Sequence, residues 1–588
     1  MSWRIDEHGE LVSTRPIEPD EQYWRVNEKV NAKGEKTGES YEFRYVPCMR
    51  FLERRGFARY WKTENHPILI HMTPPTVREI QPFEARDFVD DFTKSLKDEE
   101  VLEMLYRGGT QYLGPDKLSR LEYHTPVFET PTRDAQLFYF KDLCWKITID
   151  GVEIVDYTQI SHYIWSDHVK DFSAKRLEEN LIKVTKDEKG NFDYQLSAEG
   201  KACHMLQFLI NTSNFTWRKE KALKTANEDS NADLTISPIE IQENNVHLLS
   251  KLCAIGYMLM SSKDRNVSRA VVAMDGKLSD IGSSNGRSGK SIIGEMFKQL
   301  LPTVYINGKQ EGMDKDQFLW TELEEKTRVV FLDDVKVNFS LEFLFACITG
   351  DWAVNYKGEG RKTFPFSRSP KIYITSNHAL NGEGSSFRDR QWLIAFSDFY
   401  NDKHKPLDDF GCLFFDEWDW GQWNLLYNLM AECIQLYLRY GVVQAPGERL
   451  EARQQRQMMG TQMEQWADEY FSKAAHMNTK LVRKDVYDNF KLTLTGKELQ
   501  FYSATAFKKK LLIYCNYKGY KFNPHRYDKV TGEPLFYDKD QNPIIDHKEG
   551  GLEYFTIGDE NFYKDEPEQP ALPFEANTGA DEDHEYDD

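Results

Sequence analysis

A chain of 588 residues with 40% hydrophobic and 29% charged side chains has room for about three or four domains, and it falls in the soluble globular class, not the fibrous or membrane classes. Its formal net charge of −20 does not exclude a nucleic-acid partner, because twelve carboxylates against one lysine between Asp559 and Asp588 leave only −9 on the remainder. The eight cysteines are scattered without a C-x-x-C pair, which argues against zinc and a disulfide framework and predicts a reduced, cytoplasmic protein; neither an apolar signal core nor a membrane-spanning run is visible.

Residues 1–200 are rich in aromatics. Short strand-like runs (41–45, 137–140, 145–149, 152–155) alternate with helical ones (83–96, 99–107), which predicts an N-terminal α+β domain. Tyr60-Trp61, Phe138-Tyr139-Phe140 and Tyr163-Ile164-Trp165 have the chemistry to stack on unpaired bases, although aromatics at strand spacing more often fill a core. No catalytic centre is visible here. Asp90-Asp91 sits in a helical pattern and Asp150 heads a turn, so the paired acids of a primase are not seen; His162 and His168, six apart, do not make the alternating histidines of a rolling-circle nuclease. The polar stretch 219–233 predicts a linker or exposed loop. Ser237, Pro238 and Glu240 then form a helix start, and apolar residues at Leu249, Leu252, Cys253, Gly256 and Met260 continue it, giving a helical collar over 201–265.

The strand-like run 269–275 leads through Gly282-Ser283-Ser284-Asn285-Gly286-Arg287-Ser288-Gly289-Lys290-Ser291 into a helical pattern over 292–301. Strand, glycine-rich loop and helix are the context a phosphate-binding loop needs: backbone N–H groups curl around an anion, the helix N-terminus adds partial positive charge, Lys290 reaches the β/γ phosphates of ATP, and the Ser291 hydroxyl can ligate Mg2+. Ser284 stands where the usual pattern has its first glycine. The apolar run 328–332 then ends in Asp333-Asp334, with Asp333 43 residues beyond Lys290. Asp333 is assigned to the magnesium and Asp334 to the attacking water.

Two alternating runs after Thr349-Gly350-Asp351 flank a tip with Lys357, Arg361 and Lys362, which predicts a β-hairpin able to grip a phosphate backbone. A second apolar strand, 370–375, ends at Ser376-Asn377, where Asn377 can bond the γ-phosphate or its water. Arg388 and Arg390 follow as candidates for an arginine supplied to a neighbouring subunit.

These four ordered motifs, over residues 266–400, resemble the superfamily 3 helicases, AAA+ motors of viruses, phages and mobile elements, and in particular the poxvirus and phage primase-helicase type. The resemblance implies a homo-hexameric ring with ATP between neighbours, hairpins lining a channel, and single-stranded DNA drawn through by Lys357, 3′ to 5′ as in the family. It implies a replicative helicase acting on forked DNA, with any primase supplied separately. An AAA+ initiator or remodelling ATPase that melts a site, and a DNA-binding regulator whose nucleotide site controls assembly, remain the alternatives.

Beyond the core, an apolar stripe from Trp423 to Leu438 predicts a helix stopped by Gly441, within a helical region over 401–470. Between Lys480 and Lys529, twelve basic residues face four carboxylates. One helix is predicted over 484–494 and a second, capped by Ser503, carries Lys508, Lys509 and Lys510; with the Pro- and Gly-containing extension after Pro524 and the run 552–557, this order resembles a winged helix over 471–558. The acidic remainder, 559–588, is expected to be disordered. The fold expected is therefore α/β and multidomain: an AAA+ P-loop core with a parallel sheet, an N-terminal α+β domain, a helical collar and a C-terminal winged helix.

Overall fold

A computed structural model of the chain describes residues 21–63, 66–225, 235–276, 288–336, 339–358, 360–377, 385–446, 458–479, 481–496, 502–523 and 552–559, with short pieces at 3–5, 11–13, 380, 455, 498–499 and 548–549. The chain divides into two compact units; of the described residues, those up to 446 belong to the first and those from 455 onward to the second. No described helix is long and apolar enough to cross a membrane, and all eight cysteines are free.

The first unit opens with a mixed α and β region. The antiparallel strands Phe57–Thr63, His66–Thr73 and Thr76–Ile80 take the short strand Ile164–Trp165 as a parallel neighbour. Helices Pro82–Ser95 and Glu99–Gly108 bury Val89, Val101 and Leu105 in a core with Phe51 and Phe57. A meander, Ala135–Phe140, Cys144–Thr148 and Val152–Val155, follows.

Helix α1 (Pro238–Leu259) begins where the sequence places it: the Ser237 side chain accepts from Glu240 N and Glu240 returns a bond to Ser237 N, closing a capping box with proline at the first turn. Upstream, the first part of the stretch expected to be linker or loop, residues 219–225, belongs instead to the helix Trp217–Thr225, and its remainder, 226–233, lies outside the described residues. The start of this helix is tied down from afar, with Trp217 and Arg218 both donating to Asp398, a partner that local polarity does not reveal.

Five strands make the central sheet: β1 (Ala270–Asp275), β2 (Thr303–Asn307), β3 (Val329–Val335), β6 (Lys371–Ser376) and β7 (Gln391–Phe396), in the order β2-β3-β6-β1-β7 and all parallel. Helix α2 (Lys290–Leu300) follows β1, and the antiparallel pair β4 (Trp352–Tyr356) and β5 (Gly360–Phe364) forms the expected hairpin between β3 and β6. Every residue of β6 is buried, as expected of a strand covered on both faces. Alternate residues divide between two cores. Val271, Ala273, Phe331, Tyr373 and Ile394 pack with α1, α2 and a long helix α3 (Trp420–Tyr440); Val272, Val330, Leu332 and Ile374 pack with Trp352 and Val354 of the hairpin.

Close packing of α1 on α3 depends on Gly256, where a Cβ would lie 2.0 Å from the Cys433 carbonyl oxygen. The C-terminus of α1 is closed by a side chain from the sheet: Lys371 Nζ donates to the carbonyls of Tyr257 and Met260, each at 2.6 Å. N–H donors on these carbonyls satisfy acceptors the helix leaves open.

In the second unit, helix Thr461–Phe471, α4 (Arg483–Lys491) and α5 (Ala504–Lys518) surround a core of Trp466, Phe490, Phe507 and Tyr514. The short strand Leu481–Val482 pairs with Leu552–Phe555. Helix Thr461–Phe471 thus shares a core with the basic helices. Residues 524–547 of the extension and the tail beyond Asp559 lie outside the described residues, while Lys548–Glu549 pairs with Leu552–Phe555.

Candidate active site

The strand order builds the site. β6 stands between β1 and β3, so the carboxyl ends of the loop strand, the asparagine strand and the paired-aspartate strand lie side by side, at the edge where open parallel sheets bind ligands. Asn377, one residue past β6, accepts from Lys290 Nζ at 2.8 Å and donates to Asp334 Oδ1 at 2.9 Å. An amide can bridge an ammonium and a carboxylate in this way, because it carries an acceptor and a donor on one carbon.

Lys290 opens α2 after Gly289, whose φ of 88° is left-handed and whose added Cβ would lie 2.6 Å from the Phe208 ring. Its ammonium also lies 2.6 Å from Asp275 Oδ1, at the end of β1, and 3.1 Å from Ser288 Oγ, which itself donates to Asp275. Asp275 Oδ2 is buried and has no hydrogen-bond partner among the described residues.

Asp333 and Asp334 are consecutive, and in a regular strand they would face opposite sides of the sheet. The register of β3 on β6 shifts between Leu332 and Val335, and Asp334 takes φ of 55°. This bulge turns both carboxylates into one cleft. The distorted backbone is held on several sides: Asp334 N donates to Thr375 Oγ1 at 2.7 Å, Gly308 N donates to the Asp333 carbonyl at 2.6 Å, and Lys309 pairs with Asp334. The hydrogen-bonded Asp334 carboxylate holds the Lys309 ammonium above its ordinary range. Asp333 Oδ1 accepts from Ser291 Oγ at 2.7 Å and from Thr375 Oγ1 at 2.6 Å. Burial first, and then the Asp333 charge, raise the Tyr305 phenol beside it.

The cleft has a volume of about 860 Å³. One wall is polar and comprises Lys290, Ser291, Asp333, Asp334, Thr375 and Asn377. The other, from residues 405–416, presents Leu407, Leu413, Phe414 and Phe415 between Lys405 and Asp416. Anion-binding groups facing an apolar shelf suit a ligand with phosphates at one end and a flat base at the other.

The structure therefore brings together Ser288, Gly289, Lys290, Ser291, Asp333, Asp334 and Asn377. Gly286 and Arg287 lie outside the described residues. Arg388 and Arg390 do not line the cleft. Arg388 is exposed on the short helix Ser385–Asp389, while the Arg390 guanidinium lies 4.7 Å from the centre of the Phe345 ring. Lys357 and Arg361 are exposed on the hairpin, but Lys362 is half-buried, donating to the Lys62 carbonyl and lying 3.3 Å from Glu325. In the second unit Lys509 is exposed and Lys508 lies 3.5 Å from Glu553. Lys510 donates to the carbonyls of Met458 and Met459, and burial lowers its ammonium to about 8, so its charge is spent within the unit. Asp275, Lys309, Thr375 and the 405–416 wall belong to the site without having been singled out in the sequence. Only Asp275, a lone carboxylate ending a strand before the glycine-rich loop, left a local trace there.

Residues 281–390 match the model of a family of unknown function (DUF5906). No curated protein matches the chain. Among solved structures, the chain is similar to the apo NrS-1 C-terminal region, at 10% identity and a TM-score of 0.33, over 87% of this chain and 99% of that one. It is also similar to JCV helicase, at 11% identity and a TM-score of 0.19, over 52% of this chain and 72% of that one. Likeness at this level carries no function across, and the residues of the site must speak for themselves.

Proposed function

We propose that the chain is an ATP-dependent DNA helicase of the superfamily 3 type, working as a homo-hexamer that translocates on single-stranded DNA and opens forked duplex. One observation carries this reading: the hydrogen-bonded path from Lys290 through Asn377 to Asp334, beside the Ser291–Asp333 pair, at the carboxyl ends of three adjacent parallel strands.

In this reading Lys290 exchanges Asp275 for the β/γ phosphates of ATP. Asp334 orients the attacking water and takes up its proton, and Asn377 keeps that carboxylate in register with the ammonium. Ser291 and Asp333 offer one hydroxyl and one carboxylate to magnesium, and among the described residues no three His, Cys, Asp or Glu side chains cluster as ligands. That sparse set fits an ion that commonly takes one or two carboxylates together with substrate phosphates and water. Magnesium bound there would neutralise charge on the transferring phosphoryl group. Arg388, exposed and away from its own cleft, is the side chain to complete a neighbour's site. Lys357 and Arg361 would meet DNA in the ring channel, and Lys508 and Lys509 on the second unit.

The test is ATP-dependent strand release from a labelled fork, comparing the wild type with Lys290→Ala. Release that needs ATP and vanishes in the variant supports the helicase. Lys290-dependent hydrolysis without release overturns it in favour of a remodelling ATPase.

A further inference from the structure

We propose that Arg59, Tyr123 and Trp61 form a base-stacking platform for single-stranded DNA, set on the N-terminal region beside the β4–β5 hairpin. The proposal rests on the helicase reading for its ligand, but it stands on a different part of the molecule.

Neighbouring residues of a strand face opposite ways, and in Phe57–Thr63 this separates Tyr60 from Trp61. Ala58 is buried with Ile70 and Val77, and Tyr60 packs against that cluster while its hydroxyl donates to Glu325 at 2.7 Å. Trp61 turns the other way and remains 46% exposed. Its ring lies flat on Tyr123, with centroids 4.7 Å apart and planes within 8°. Tyr123 is itself 42% exposed, and the Arg59 guanidinium covers it at 3.9 Å from the ring centre.

The stack is built in, because backbone bonds fix its parts. Arg59 N donates to the Glu122 carbonyl and His124 N to the Arg59 carbonyl, each at 2.9 Å, so the segment carrying Tyr123 is paired directly onto the strand. Arg59 Nη1 donates to the Tyr123 hydroxyl at 3.1 Å. Two parallel rings, with a cation over one of them, are therefore held at the surface, where burial of the same rings would have contributed to folding. Such a pre-ordered stack loses little freedom on binding, and a base adds to it through a π-face that every base possesses.

Two features favour an unpaired strand over a duplex or a protein. Lys362 of the hairpin donates to the carbonyl of Lys62, the residue next to Trp61, so the hairpin bearing Lys357 and Arg361 rises from beside the platform. Lys62, the cation next to Trp61 on the same strand, is engaged by Glu324 at 2.9 Å and Glu79 at 3.6 Å and so is not placed to track a duplex backbone. The surface offers stacking more than phosphate contact, and only unpaired bases expose their faces.

The experiment measures anisotropy of labelled oligo(dT), and of a duplex of equal length, over a salt series with the full chain and its Trp61→Phe and Trp61→Leu variants. Leucine keeps apolar bulk without a π-face, and phenylalanine keeps both. Trp61→Leu should weaken single-strand binding about tenfold, as expected for one lost base stack, with Trp61→Phe close to wild type. Duplex affinity and the slope of log K on log salt should not move, because no phosphate contact is removed. Equal binding by wild type and Trp61→Leu overturns the platform and leaves the helicase reading standing; so does a parallel loss on duplex and single strand, or a loss shared by Phe and Leu. A wild type that binds no single strand overturns both.

Discussion

Lys290 and Asp275 form an ion pair buried at the carboxyl edge of the parallel sheet, Nζ to Oδ1 2.6 Å, with side chains only 6% and 5% exposed. The same ammonium is the group expected to grip phosphate, so an anionic ligand must compete with Asp275 for it. The carboxylate acts as a placeholder: it keeps a buried cation paired until phosphate arrives.

The placeholder role makes Asp275→Asn informative. The amide keeps an oxygen for Lys290 but removes the charge, and a buried cation left with neutral partners should cost about 3–5 kcal/mol of stability. The same change removes a competitor for the ammonium. ATP should therefore bind more tightly to the variant while the free protein melts earlier, and saturating nucleotide should narrow the melting difference. Calorimetric titration and melting curves with and without ATP check both signs. Weaker binding by a folded variant would contradict the placeholder role.

A second prediction concerns Asp334, held at φ of 55° in the bulge of β3. Asparagine also tolerates the left-handed region, whereas alanine does not share that ease. Asp334→Asn should fold like the wild type and still bind nucleotide, while hydrolysis falls about 100-fold or more through loss of the base. Asp334→Ala should lose hydrolysis to a similar degree and also lose about 1 kcal/mol of stability to backbone strain. Steady-state ATPase assays beside urea unfolding separate the two. An Asp334→Asn protein that hydrolyses ATP normally would remove Asp334 from the chemistry.

What the sequence made legible were the groups that act through local order. Ser237, Pro238 and Glu240 announce the start of α1, and the apolar runs ending at Asp275, Asp334 and Ser376 announce strands. Groups whose meaning depends on strand order were not legible. Thr375 is one polar residue in an apolar run until β6 is placed beside β3, where its hydroxyl meets Asp333 Oδ1 and Asp334 N. Lys309 is an ordinary loop lysine until the turn after β2 carries it to Asp334. Charge counting misled for a related reason: Lys362 and Lys510 add to a basic total, yet Glu325 and the Met458 carbonyl take up their charge. The left-handed Asp334 had no signal, because glycine is the residue that advertises that conformation.

Gly289→Ala should disable the phosphate loop from behind. A Cβ there would meet the Phe208 ring at 2.6 Å, and φ of 88° is strained for any other residue. The two effects together should cost about 1–3 kcal/mol or push Lys290 away from its partners. Phe208→Leu in the same chain makes room for the methyl but leaves the backbone strain, so it should recover only part of the nucleotide binding. Full recovery would mean that packing alone mattered.

The last prediction lies on α3, where Asn424, Asn428 and Glu432, four residues apart, hold the segment 175–182 by its backbone. Glu432 is 2% exposed and accepts from Leu181 N at 2.9 Å and Ile182 N at 3.2 Å, with Arg176 at 3.6 Å. Burial outweighs these favourable neighbours and pushes its carboxyl from the ordinary 4.5 up to about 7. Folding thus favours the protonated acid, so its contribution is fully present below pH 4.5 and is lost as pH rises through about 7. Within that window, stability owed to this group falls by about 1.4 kcal/mol per pH unit at most. Glu432→Gln cannot titrate, so its unfolding midpoint should fall less between pH 5 and pH 8 than that of the wild type. Every other titrating group is common to both proteins and cancels in the comparison. Denaturant melts at about three pH values in that range measure the difference, and parallel pH profiles would show that Glu432 is ionised in the folded protein throughout.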